Sequence, residues 1–107
     1  MKKYEYRGIP ITTKEDIFEA LNEHCGGDMD EQKGIAVFDD MVPAFVGFTN
    51  DNRAVYDYGK MVQYHMEVNG MTEEDAAEYI EFNVLRSLPY MEKQPVILYP
   101  VNEIGGE

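Results

Sequence analysis

The stretch from residue 53 to residue 90 constrains the fold most, because cap and turn residues divide it into clear elements. Residues 54–56 predict a short strand. Asp57 stands where an N-cap side chain accepts hydrogen bonds from free backbone amides, and Gly70 stands where a helix can end. We therefore expect a helix over about residues 58–68. Its predicted inner stripe is Met61, Val62, His65 and Met66.

The second half of this stretch predicts another helix, which extends to about Ser87. Thr72 is followed three residues later by Asp75, the spacing of a capping box, and Pro89 forbids a further helical turn. The predicted core stripe of this helix is Ala77, Ile80, Val84 and Leu88. A second side carries Asp75, Tyr79, Phe82 and Arg86. A helix that is apolar on more than one side is either central or binds a partner.

The first part of the chain predicts a strand, a turn and a capped helix. Residues 3–12 contain the strand and turn, and the residue before Pro10 favours an extended backbone. Thr12 with Glu15 and Thr13 with Asp16 both have capping-box spacing, so we expect a helix over about residues 14–24. The predicted buried stripe of that helix is Ile17, Phe18, Leu21 and Cys25.

The remaining strands are predicted from short apolar runs separated by polar turns. A loop over residues 28–34 leads to a strand at 35–38, and a second strand over 42–49 carries Gly47 as a bulge position. That strand forms an antiparallel hairpin with residues 54–56. Residues 95–100 predict a closing strand, buried on both faces, which returns after two helices and so allows one parallel pairing.

Together these elements predict an α+β fold: a mainly antiparallel sheet of four to five short strands with three helices packed on it. The length of 107 residues and the 44% hydrophobic content fit a single domain over residues 1–107, with residues 103–107 expected to fray. We expect four residues to hold the core between strand and helices: Tyr58, Met61, Ile80 and Val84.

The charge balance restricts the partners of the chain. The formal net charge is −12, which repels phosphate backbones and anionic lipid headgroups. Direct binding to nucleic acid or membrane is therefore disfavoured, and a basic protein is the expected partner. One cysteine and no long apolar run indicate a reducing compartment, the cytoplasm.

No motif for catalysis, a metal or a cofactor emerges, so we expect none of the three. Asp28 and Asp30 match the first positions of a calcium loop, but Lys33 replaces its required glycine. We interpret this segment as a solvated acidic loop, and Asp39–Asp40 as a turn. Cys25 lies on a predicted buried stripe of an acidic chain, which disfavours a reactive thiolate, and His65 is interpreted as a hydrogen-bonded core histidine.

Two surface features remain as candidate sites. A polar trio of Asn83, Arg86 and Tyr90 follows the last helix and could bind a small anionic ligand. A structural role is favoured for it, with Arg86 stacked on Phe82 and paired with an acid, and Asn83 holding the following loop. The second feature is two acidic helical rows, which either form a solvated face or imitate a phosphate backbone. These rows are Glu15, Glu19 and Glu23, and Glu74, Glu78 and Glu81.

Three segments resemble a family of small acidic proteins of bacterial phages and mobile elements. The segments are 54–61 (AVYDYGKM), 71–80 (MTEEDAAEYI) and 83–90 (NVLRSLPY), and the similarity spans about residues 36–99. The resemblance implies a role in interaction with the host, in the company of anti-CRISPR inhibitors, and it supplies no active site. We therefore expect a non-enzymatic inhibitor, with a small-ligand-binding module or a plain interaction domain as alternatives.

Overall fold

Residues 4–101 are described by a computed structural model, which has the expected α+β architecture. The expected fraying of residues 103–107 lies outside the described residues. None of the helices within residues 4–101 has the length and apolarity needed to cross a membrane. In chain order the elements are β1 (Glu5–Tyr6), β2 (Ile9–Pro10), α1 (Lys14–His24), α2 (Met29–Gln32), a 3-10 helix (Val42–Ala44), β3 (Phe45–Phe48), β4 (Ala54–Asp57), α3 (Tyr58–Asn69), α4 (Glu73–Asn83), a second 3-10 helix (Leu85–Tyr90) and β5 (Val96–Leu98).

Helix α1 has the predicted bounds because both ends are specified locally. The Thr13 side chain accepts a hydrogen bond from the Asp16 amide at 3.2 Å, and the Asp16 carboxylate accepts one from the Thr13 amide at 2.9 Å. The buried stripe is partly different from the prediction, since Ala20 replaces Phe18. Phe18 is 41% exposed, and Cys25 is half-buried beyond the last turn. The small Ala20 allows close packing on the side where Ile17 and Leu21 are buried.

Helices α3 and α4 follow the predicted caps, with one boundary corrected. Asp57 accepts a hydrogen bond from the Lys60 amide at 3.0 Å, and Gly70 ends α3 in the left-handed conformation. The prediction that the next helix reaches Ser87 is wrong, because α4 ends at Asn83. The Ser87 amide and hydroxyl both donate to the Val84 carbonyl, which tightens the chain into the 3-10 helix that contains Pro89.

The strands form two small sheets, whereas one mainly antiparallel sheet was expected. Strands β1 and β2 form a separate hairpin, and the other sheet has the order β3-β4-β5. The β3–β4 pair is antiparallel with a register shift between Phe45 and Gly47, as the glycine predicted. The β4–β5 pair is parallel, which confirms the parallel pairing. Strand β5 is half-buried to exposed, so the expectation that both its faces are buried is wrong.

Three other segments also differ from the predictions. Residues 28–34 contain α2, whose first amides bond to the Asp28 side chain. Residues 35–38 form no strand; Ile35 makes one parallel bridge to Lys93. Residues 42–49 begin as a 3-10 helix because Pro43 lacks the amide that a strand ladder needs, and only residues 45–48 pair with β4.

The core lies where α1, α3 and α4 meet the three-stranded sheet. Met61, Ile80 and Val84 are buried in it as predicted, with Tyr58 packed at its margin. Ala76 takes the buried place predicted for Ala77, and Leu88 packs only partly against the cluster. Met66 is 39% exposed, so the predicted inner stripe of α3 is shorter by one residue. The core therefore fixes which sides of α1 and α4 face solvent.

Candidate functional site

The outer side of α4 carries the second acidic row. Glu74, Glu78 and Glu81 are all exposed, and they stand away from the buried Ala76 and Ile80. Their spacing of i, i+4 and i+7 places three carboxylates along about 10 Å of helix axis. Like charges at this spacing repel one another, so packing must hold the row in place.

The outer side of α1 carries the first acidic row in an equivalent arrangement. Glu15, Glu19 and Glu23 are exposed and repeat every four residues, over about 12 Å of helix axis. The buried Ile17 and Leu21 fix this orientation. The structure thus presents both predicted rows to solvent.

Two neighbouring hollows lie beside α4, and they share Tyr79 and Asn83 as a common wall. The first, of about 370 Å³, is lined by Met71, Asp75, Glu78, Tyr79, Phe82 and Asn83. The second, of about 360 Å³, adds residues of the loop before the first 3-10 helix, including Asp39 and Asp40. We call the two hollows together the α4 groove. It has aromatic walls and carboxylates at both ends.

Sequence reasoning missed the α4 groove because its halves are far apart in the chain. The sequence places Tyr79 and Phe82 on one side of the helix, and they are 39% and 51% exposed; that this side binds a partner stays a prediction. Asp39 and Asp40 were interpreted only as a turn, and no local signal places them beside Tyr79. Both carboxylates are exposed, and Asp39 also contacts the Lys14 ammonium of α1.

The polar trio predicted as an alternative ligand site is spread over the surface. The Arg86 guanidinium lies 4.2 Å from the centre of the Phe82 ring, as expected. The expected ion pair of Arg86 with an acid is not formed within residues 4–101. Asn83 donates a hydrogen bond to the Tyr79 carbonyl at 3.1 Å, within its own helix, so the prediction that it holds the following loop is wrong. Tyr90 is 91% exposed. The trio as a ligand site stays a prediction.

Both histidines form hydrogen bonds through their rings, His24 with two other segments of the chain and His65 within α3. His24 Nε2 lies 3.1 Å from the Thr49 carbonyl, which can only accept, so Nδ1 accepts the hydrogen bond from the Tyr6 hydroxyl at 2.7 Å. His65 is 1% exposed, and its Nδ1 accepts from the Asn69 side-chain amide at 2.8 Å. The His65 Nε2 atom has no hydrogen-bond partner within residues 4–101.

Cys25 has the surroundings of an unreactive thiol. Burial raises its pKa, and the negative charges of Glu31 and Asp28 raise it further. A thiolate is the nucleophilic form, so this environment disfavours attack by Cys25 near neutral pH. In the described part of the chain, no three side chains of His, Cys, Asp or Glu converge into a group that could hold a metal ion.

A further hollow, of about 430 Å³, lies between the N-terminal hairpin and α3. The Lys60 ammonium borders it, 4.9 Å from the centre of the Tyr4 ring. Glu67 also lines this hollow, so both a cation and a carboxylate border its aromatic wall. Comparison of the chain with protein-family models, with curated proteins and with solved structures finds no match.

Proposed function

We propose that this protein is a non-enzymatic inhibitor, carried by a phage or mobile element, that binds a basic nucleic-acid-handling protein of its bacterial host. It acts in the host cytoplasm, in the manner of anti-CRISPR proteins, by occupying a surface that normally grips nucleic acid. One observation carries the proposal: six glutamates stand exposed in two helical rows on a chain with a net charge of −12.

The spacing of the rows supports imitation of a phosphate backbone. Four residues of helix rise about 6 Å, and a DNA strand carries one phosphate per about 3.4 Å of axis. Each row therefore offers roughly one charge for every second phosphate of a strand. Lysine and arginine side chains are long enough to adjust to such a difference. Helices hold these charges on a rigid support, which reduces the entropy lost on binding.

Binding to a purified RNA-guided nuclease at rising salt tests the proposal. We expect affinity to fall steeply between about 50 mM and about 300 mM NaCl, because exposed charge pairs are screened over this range. Replacement of Glu74, Glu78 and Glu81 by Gln should weaken binding about tenfold at low salt, and replacement by Lys should weaken it further.

A charge-matched variant provides the control. Glu5, Glu67 and Glu92 are exposed and lie outside both rows. Their replacement by Gln removes the same number of charges and should change affinity by less than about threefold, through the net charge alone. Affinity that stays constant with salt, or that survives charge reversal of Glu74, Glu78 and Glu81, would refute imitation of nucleic acid.

A further inference from the structure

The α4 groove combines two features that the acidic rows alone do not have. Tyr79 and Phe82 present partly exposed aromatic rings in one hollow, with Asp75 and Glu78 beside them. Asp40 lies in the adjoining hollow across Tyr79 and Asn83. An aromatic ring next to a carboxylate suits a cation that is planar, because one group can stack on the ring and donate hydrogen bonds to the acid.

We propose that the α4 groove binds an arginine-bearing segment of the basic partner, with one guanidinium in each hollow. This rests on the proposed function, and it names the surface and the chemistry of the contact. The first guanidinium stacks on Tyr79 and Phe82 and pairs with Asp75 and Glu78. The second pairs with Asp40, since Asp39 already contacts Lys14.

The chain itself provides an example of the contact. The Arg86 guanidinium lies 4.2 Å from the centre of the Phe82 ring, so this ring accepts a guanidinium at van der Waals distance. Arg86 does not line the hollow, so an incoming guanidinium stacks on the part of the Phe82 ring that faces the hollow. Arginine offers five donors in a rigid plane and is more weakly hydrated than lysine, whose ammonium is a compact point charge. The aromatic part of the groove therefore favours arginine.

Charge complementarity excludes the other occupants. A second copy of this chain brings another net charge of −12 to a rim of carboxylates, and nucleic acid brings phosphates. Both are repelled, whereas a segment with two cations neutralises the rim.

The test is a titration of the isotope-labelled protein, followed by NMR, with two short peptides. One peptide carries two arginines separated by glycine, and the other carries two lysines at the same positions. We expect the arginine peptide to shift the amide signals of Asp40, Tyr79 and Asn83 more than those of Glu15 and Glu19. It should bind about two- to fivefold tighter than the lysine peptide, which is the contribution of stacking at an exposed ring.

Two matched pairs of variants locate the contact. Phe82→Leu should remove the preference for arginine, whereas Phe18→Leu, at a similarly exposed ring on α1, should leave it unchanged. Asp40→Asn combined with Glu78→Gln should weaken the arginine peptide about fivefold or more, and Glu15→Gln combined with Glu19→Gln should weaken it less than twofold. All six positions are exposed, so the four variants are expected to fold, which circular dichroism checks.

The outcomes separate this inference from the proposed function. Equal affinity for the two peptides, unchanged by Phe82→Leu, overturns the arginine contact. Signal changes centred on the α1 row place the binding surface elsewhere and also overturn it. In either case the salt dependence of nuclease binding would still support the inhibitor. Conversely, an affinity for the nuclease that does not change with salt concentration refutes the proposed function, even if the arginine peptide binds in the α4 groove.

Discussion

Tyr56 is the residue on which the centre of the fold most visibly depends. It is fully buried, and its hydroxyl accepts a hydrogen bond from the Phe38 amide at 3.2 Å. Phe38 lies in a segment that forms no strand. The Tyr56 hydroxyl therefore gives the Phe38 amide the acceptor that a neighbouring strand would otherwise provide. One side chain therefore joins β4 to the loop that carries Asp39 and Asp40 into the α4 groove.

Replacement of Tyr56 by Phe should destabilise the protein by about 1–3 kcal/mol, because it leaves the buried Phe38 amide without an acceptor. The free energy of unfolding, measured by urea denaturation, checks this. Tyr99→Phe is the control, since Tyr99 is 60% exposed and keeps its ring contact with Tyr58. An equal loss of stability in both variants would contradict the importance of the buried bond.

The Tyr56 side chain should also make the free energy of unfolding decrease at alkaline pH. Burial raises the pKa of Tyr56 above its ordinary value of 10, so the folded chain keeps a proton that the unfolded chain releases. This contribution is fully present below pH 10 and is lost as pH rises towards the folded pKa. The advantage of the wild type over Tyr56→Phe should shrink by about 1.4 kcal/mol per pH unit above about pH 10. Parallel stability curves for the two proteins would contradict it.

At the scale of elements, helices could be predicted from the sequence better than strands. Helix ends depend on nearby residues: Thr13, Asp57 and Thr72 each accept a hydrogen bond from the amide three residues further on. Strands depend on distant partners, so the apolar run at 35–38 could not reveal that its neighbour would be Lys93. The α4 groove was missed for the same reason, since Asp40 and Tyr79 meet only after folding.

The N-cap of α4 offers a test at this scale. Thr72→Ala removes the oxygen that accepts from the Asp75 amide at 3.1 Å, and it should cost about 1 kcal/mol of unfolding free energy. Thr72→Ser keeps that oxygen and should lie within about 0.5 kcal/mol of the wild type. Thermal unfolding followed by circular dichroism measures both. If the Ala and Ser variants were equally stable, the cap would contribute nothing to α4.

The whole molecule carries far more negative charge than its ion pairs can neutralise. Within residues 4–101 two ion pairs form, Lys14 with Asp39 and Arg53 with Asp51, against a chain charge of −12. The acidic rows and the rim of the α4 groove therefore add to a general repulsion that opposes folding. A surface selected for stability alone would not concentrate carboxylates in this way, which is consistent with the proposed basic partner.

This repulsion predicts opposite effects of salt on folding and on binding. From about 10 mM to about 300 mM NaCl the Debye length falls from roughly 30 Å to less than 10 Å, so the carboxylates repel one another less. The Tm should rise by roughly 4–8 °C if screening contributes about 1 kcal/mol, while affinity for the nuclease falls over the same range. Replacement of Glu15, Glu19 and Glu23 by Gln should make the rise in Tm smaller. A Tm that falls with salt would mean that attraction between unlike charges, rather than repulsion, governs the stability of this surface.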